Sequence, residues 1–221
     1  MLARMLGRRT LLVDLSNNNA GPIDWHAVKH AGVFGVLLKV TEGVAFVDET
    51  YAPRAAAARA AGLHVGGYHF ARPGGSALTQ AQLFATHLGK VGRRDLHPAL
   101  DLETNDEHLT PAELETWAHN FARHTHTLTG ARALFYSYPA FLSAQGWSRP
   151  VGAGAGLWLA SYGPNDGTDH GLYPGATAPW RRAVAHQFTS TGSVAGVSGH
   201  VDLSHARSRR RMLAHGLRGL L

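Results

Sequence analysis

Short apolar runs alternate with helix-like segments along almost the whole chain, and this alternation restricts the fold more than any other feature. Strands are expected at residues 10–15, 33–40, 63–70, 98–102, 132–137, 156–162 and 183–189. Helices are expected at 23–31, 53–61 and 77–88, with a longer one opening at Thr110. Thr110-Pro111-Ala112-Glu113 is a strong start signal: an N-cap hydroxyl, a proline at the first helical position and a glutamate to close a capping box. Such alternation builds a mostly parallel sheet with helices outside it, and 221 residues is an ordinary length for one α/β barrel. Stretches 150–156 and 163–179 are rich in Gly and Pro and poor in helix signals. The expected architecture is therefore a single-domain α/β protein, an irregular (β/α) TIM-like barrel over residues 10–206. Short basic tails at 1–9 and 207–221 flank it.

Charge narrows the partners. The tails carry Arg4, Arg8, Arg9, Arg207, Arg209, Arg210, Arg211 and Arg218 and no acid. Those eight charges exceed the total of +6, so the body between them is net −2. A dedicated nucleic-acid binder would carry its basic face on the fold itself, so no specific nucleic-acid partner is expected. Contact of the tails with an anionic envelope is the most they suggest, with Leu213, Leu217, Leu220 and Leu221 able to share a helical face. There is no cysteine, which removes disulfide and thiolate chemistry. The 15 histidines include no His-Glu-x-x-His or related spacing, so neither a metal nor another cofactor is expected. No apolar run reaches the length of a membrane span or of a signal-peptide core. Synthesis in the cytoplasm without a signal peptide is the expectation.

Acids recur where apolar runs end. Asp101-Leu102-Glu103 closes the run from His97 and precedes the loop into the Thr110 helix. Positions i and i+2 of a strand share a face, so Asp101 and Glu103 should enter one pocket, roughly 6.6 Å apart by strand rise. Two acids at that distance are the minimum equipment for splitting a glycosidic bond. Asp14, Glu42 and Asp202 also follow apolar runs. Taken singly each reads better as a loop acid or helix cap; four strand ends carrying acids favour a shared pocket. Aromatic residues recur in the same places: Tyr68 and Phe70, Tyr136 and Tyr138, Trp158 and Tyr162. Flat rings with a polar edge suit the faces of sugars, although Phe70 and Phe135 read as core fillers.

Together these motifs resemble the glycoside hydrolase family 25 lysozymes, the Chalaropsis-type N-acetylmuramidases. Lys39-Val40-Thr41-Glu42-Gly43-Val44-Ala45-Phe46-Val47-Asp48 fits the second half of that family's signature, and Asp14-Leu15-Ser16 its opening. Gly67-Tyr68-His69-Phe70, Asp101-Leu102-Glu103, Tyr136-Ser137, Leu157-Trp158, Gln187-Phe188-Thr189 and Val201-Asp202-Leu203 follow in order. Ala20 and His186 depart from it, at positions where the family usually has Pro, Gly or Glu and Trp, respectively.

The resemblance implies hydrolysis of the β-1,4 bond from N-acetylmuramic acid to N-acetylglucosamine in bacterial peptidoglycan. It implies Glu103 as general acid and Asp101, Asp14 and Asp202 as the other catalytic acids. Asp101, expected to stay ionised, would orient the substrate's 2-acetamido group or support a water, with retention through that group expected. Glu42, Tyr68, His69, Tyr136, Tyr138, Trp158, Tyr162 and Gln187 are the implied substrate-binding set, with His69 in the pocket wall. A monomer acting on the wall after phage-type release fits this reading. The rival reading is a catalytically silent peptidoglycan-binding module on the same barrel.

Overall fold

The computed structural model describes residues 10–92, 94–151, 156–171 and 177–214. Nine strands form one sheet: β1 (Thr10–Leu15), β2 (Gly35–Glu42), β3 (Phe46–Val47), β4 (His64–Phe70), β5 (Ala99–Asp101), β6 (Leu134–Ser137), β7 (Leu157–Ala160), β8 (Ala183–Gly192) and β9 (Val201–Ala206). Their order is β1-β9-β8-β7-β6-β5-β4-β2-β3, and β1 also pairs with β2, so eight strands close into a barrel with β3 appended as a hairpin arm. The helices are α1 (Trp25–His30), α2 (Tyr51–Ala60), α3 (Ala77–Leu88), α4 (Pro111–Thr129), α5 (Pro139–Gln145) and α6 (Arg209–Met212).

Strand alternation divides the core in two. Val13, Leu15, Val36, Leu38, Val65, Leu100, Phe135 and Leu159 face outward and pack with the helices. Leu12, Leu37, Ala99, Leu134, Tyr136 and Trp158 face inward and fill the barrel. The α4 start is the expected capping box: Thr110 Oγ1 accepts from Glu113 N, and Glu113 Oε2 accepts from Thr110 N at 2.9 Å. Gly130 ends that helix in the left-handed conformation, φ 79°. In β4 the backbone runs close to its neighbours: a Cβ on Gly67 would lie 2.5 Å from Val40 Cγ2.

Three features depart from expectation. β9 is antiparallel to both neighbours, because residues 193–200 are too few for the crossover of a dozen or more residues that a parallel partner needs. Helix α5, begun by Pro139, and arm β3 lie where no element was expected. The segment expected to start a basic tail is docked at least to Ala214. There Arg207 N donates to Val184 O, His97 N to Met212 O and Ala214 N to Asp95 O. Met212 is fully buried and closes the barrel floor. The expected tail at 1–9 and the leucines at 217, 220 and 221 lie outside the described residues. No helix among the described residues is long and apolar enough to cross a membrane.

Candidate active site

The inward-facing side chains at the carboxyl ends of the strands leave a pocket of about 200 Å³. Asp14 enters it from β1, Asp101 from β5, Glu103 from two residues beyond β5, and Asp202 from β9. Asp14 and Asp202 sit directly opposite each other in the antiparallel β1–β9 register, so the strand pairing itself brings them together. Tyr68, Tyr136 and Trp158 complete the expected wall. Glu103 continues the β5 alternation: Leu102 between the two acids is fully buried on the opposite side.

Lys39 is the only cation among the lining residues. Burial, then repulsion from Asp202, raises the Asp14 carboxyl well above the usual range. Burial, then repulsion from Glu103 and Asp14, does the same to Asp101. Burial and Asp202 raise Glu103, and burial raises Asp202. All four acids therefore hold their protons to higher pH than free carboxylic acids do. Asp101 Oδ1 is buried with no hydrogen-bond partner among the described residues, which works against the ionisation expected of it. A carboxylate without donors favours its neutral form.

Beneath the acids lies a buried amide. Gln187 is almost fully buried; its Nε2 donates to Asp14 Oδ1 and Oδ2 at 3.0 and 3.1 Å. Its Oε1 accepts from Tyr136 Oη at 2.8 Å and Tyr162 Oη at 2.6 Å. Gln187 thus holds the Asp14 carboxyl and two phenols and has no free group for a ligand, which corrects its expected place in the substrate-binding set. Burial, then Asp202 and Asp14, keeps the Tyr162 phenol protonated and donating. Trp158 is fixed by its Nε1–H to Ser204 Oγ at 2.9 Å and packs edge-on to Tyr136.

Other expected contacts fall elsewhere. His69 faces away from the barrel interior because it alternates with Tyr68 and Phe70. It is fully buried, stacks on Phe121, and lies 2.8 Å from both Thr41 Oγ1 and Gln80 Oε1. Gln80 Nε2 donates to Arg72 O, so its Oε1 must accept; His69 therefore carries its hydrogen on Nε2 and accepts from Thr41. Burial lowers its pKa to about 4. It is a core residue, not a pocket wall. Glu42 is at the rim: burial works to raise its pKa, but hydrogen bonds from Lys39 and Arg72 outweigh it and hold it low. Tyr138 follows the end of β6, leaves the alternation, and packs on Phe141 at the start of α5.

The pocket also contains residues that the sequence reading left out: Ser16, Asn18, Lys39 and Phe70. Phe70 is no core filler; Lys39 and Arg72 lie over its ring at 5.2 and 4.8 Å. Alternation from Leu37 and from Tyr68 was the signal for Lys39 and Phe70. Ser16 and Asn18 depend on long-range pinning of their loop. Asp48 Oδ2 accepts from Asn17 N, and the Arg54 guanidinium donates to Ser16 O and Asn19 O. No group of three or more His, Cys, Asp or Glu side chains among the described residues forms a metal site.

Comparison with known proteins matches residues 13–197 to the model of the glycosyl hydrolases family 25. Lysozyme M1 of Streptomyces globisporus is 32% identical over 209 residues, covering 88% of this chain and 67% of the relative. The autolytic lysozyme of Clostridium acetobutylicum is 29% identical over 189 residues, covering 83% of this chain but 52% of its own length. The chain thus spans about two thirds and about half of these two relatives. Among solved structures, the bacterial lysozyme from Streptomyces coelicolor superposes with a TM-score of 0.83 at 29% identity, covering 95% of this chain and 97% of that one.

Proposed function

Because the chain belongs to glycosyl hydrolase family 25 and is a glycoside hydrolase, we propose that it is a muramidase. It cleaves the β-1,4 bond from N-acetylmuramic acid to N-acetylglucosamine in bacterial peptidoglycan, and it works as a monomer at the cell wall. The observation that carries this reading is the convergence of Asp14, Asp101, Glu103 and Asp202 on one pocket with a single lysine.

Glu103 is the general acid. It is half-buried at the pocket mouth, where a leaving oxygen can reach it, and burial with Asp202 makes it hold its proton to higher pH than a free glutamate does. Asp101 lies deeper and lines the pocket. The acetamido N–H of the bound sugar donates to its carboxyl. It stabilises negative charge on Asp101 and turns the acetamido carbonyl oxygen toward the anomeric carbon. Asp101 and Glu103 titrate as a unit, so charge settling on Asp101 strengthens the hold of Glu103 on its proton until the bond begins to break. Asp202, paired with the Asp14 carboxyl that Gln187 holds in place, faces the developing oxocarbenium with negative charge. Tyr136 and Trp158 offer ring faces and edges to the sugar.

The test is digestion of purified peptidoglycan, with borohydride reduction of the new ends and proton NMR of the first anomer formed. New muramic acid ends of retained configuration are expected. Tight binding with no new ends would identify a silent module, and new glucosamine ends would overturn the bond assignment.

A further inference from the structure

A second cleft, of about 430 Å³, opens at the other end of the barrel. Its walls come from α4 (His119, Arg123, His126), from Arg132 before β6, and from Arg149 after α5. Arg132 precedes the start of β6, whereas the acidic pocket lies at the finish of the strands. Roughly 13 Å of strand therefore separates the two openings.

The charges there are not balanced from within. Glu115 is the one carboxylate near these groups, 3.8 Å from Arg149 Nε and 3.6 Å from His119 Nε2. It also accepts from Ser148 N at 3.0 Å and Ser148 Oγ at 2.7 Å, and of the three arginines it meets only Arg149. Arg123 meets only neutral groups, Asn120 Oδ1 at 3.4 Å and His124 Nε2 at 3.2 Å. Among the described residues no carboxylate pairs with Arg123 or Arg132, and all 15 acidic residues of the chain are described. His119 Nε2 has no hydrogen-bond partner among the described residues. Three guanidiniums from three separate segments line one cavity, and only Arg149 has a carboxylate beside it, so positive charge is in excess there.

We propose that this cleft binds a phosphate group. Guanidinium forks match the oxygens of a tetrahedral phosphate in pairs, and a concave wall concentrates their field. The volume admits one phosphate with its attached glycerol or sugar unit. The ligand is free phosphate or one unit of a phosphodiester wall polymer, held at the end of the barrel away from the acidic pocket. The proposal stands apart from the muramidase reading, because its readout is binding and needs no turnover.

The experiment follows the ring resonances of His119 and His126 in the full chain at neutral pH. Sodium phosphate is titrated against sodium chloride at equal ionic strength. Saturable shifts with phosphate are expected, weakened about tenfold or more in Arg123→Gln/Arg132→Gln, with Arg123→Lys/Arg132→Lys intermediate, since lysine keeps charge but loses the fork. These arginines are at least partly exposed, so the variants should melt like the parent. Poly(glycerol phosphate) binding about tenfold tighter per phosphate than the free ion would assign the polymer as source; equal affinity would assign free phosphate. Shifts that chloride reproduces, shifts that survive the glutamine variant, or a DNA duplex that outcompetes both probes would each overturn the proposal.

Discussion

Replacing Glu103 by Gln should abolish activity and, at the same time, stabilise the fold. Asp101 and Glu103 share one face two residues apart, at roughly 6.6 Å. Two full charges at that distance, with an effective dielectric constant of about 20, repel by about 2.5 kcal/mol. Solvent reaches Glu103 at the pocket mouth, so the relief at neutral pH should be about 1–2 kcal/mol, or a rise in Tm of about 2–8 °C for a chain of this length. The sign fixes the pH window. Burial and like charge raise both carboxyls in the native state, which therefore binds more protons than the unfolded chain. Native stability is then lost as pH rises from about 4 through the raised values. The gain from Glu103→Gln must accordingly grow with pH and vanish near pH 4. The assay is thermal unfolding of both proteins across that range beside turnover of purified cell wall. An inactive variant whose Tm gain is absent, or present equally at pH 4 and pH 8, would refute the like-charge account. A variant that clears walls like the parent would refute the general-acid assignment.

Gln187→Leu should cost about 3–5 kcal/mol in urea unfolding at constant m-value: a hydrogen bond to a carboxyl lost, and a buried phenol left unpaired. A loss under about 1 kcal/mol would mean that the amide does not hold the pocket floor. His69, with a pKa depressed by burial to about 4, contributes stability that is present above pH 6.5 and lost as pH falls toward 4, up to about 3 kcal/mol. Its imidazole resonances should show no protonation above about pH 5; titration near 6.5 would contradict the buried Thr41–His69–Gln80 arrangement.

Much of the barrel was legible because period and punctuation are local. The seven runs read as strands correspond to β1, β2 and β4–β8, and the Thr110 capping box is where four residues said it would be. The acid pocket was legible for the same reason: alternation puts Asp101 and Glu103 on one face. What failed were inferences that treated a motif as a surface. His69 sits between two pocket residues in Tyr68-His69-Phe70, yet a strand turns alternate side chains away, so it serves the outer core. Gln187 points the expected way but is sealed beneath the acids by two tyrosines.

The order of residues by itself determined which segments become strands and helices, and where acids meet the ends of strands, since those depend on neighbours a few positions apart. Closure of the barrel decided the rest. The antiparallel seam of β1 with β9 set Asp14 against Asp202, nearly two hundred positions distant in the chain. Packing removed water from the site, and that removal is the largest cause of the raised carboxyl pKa values. Proximity across a chain and exclusion of solvent are properties of the folded shape, and no local pattern encodes them.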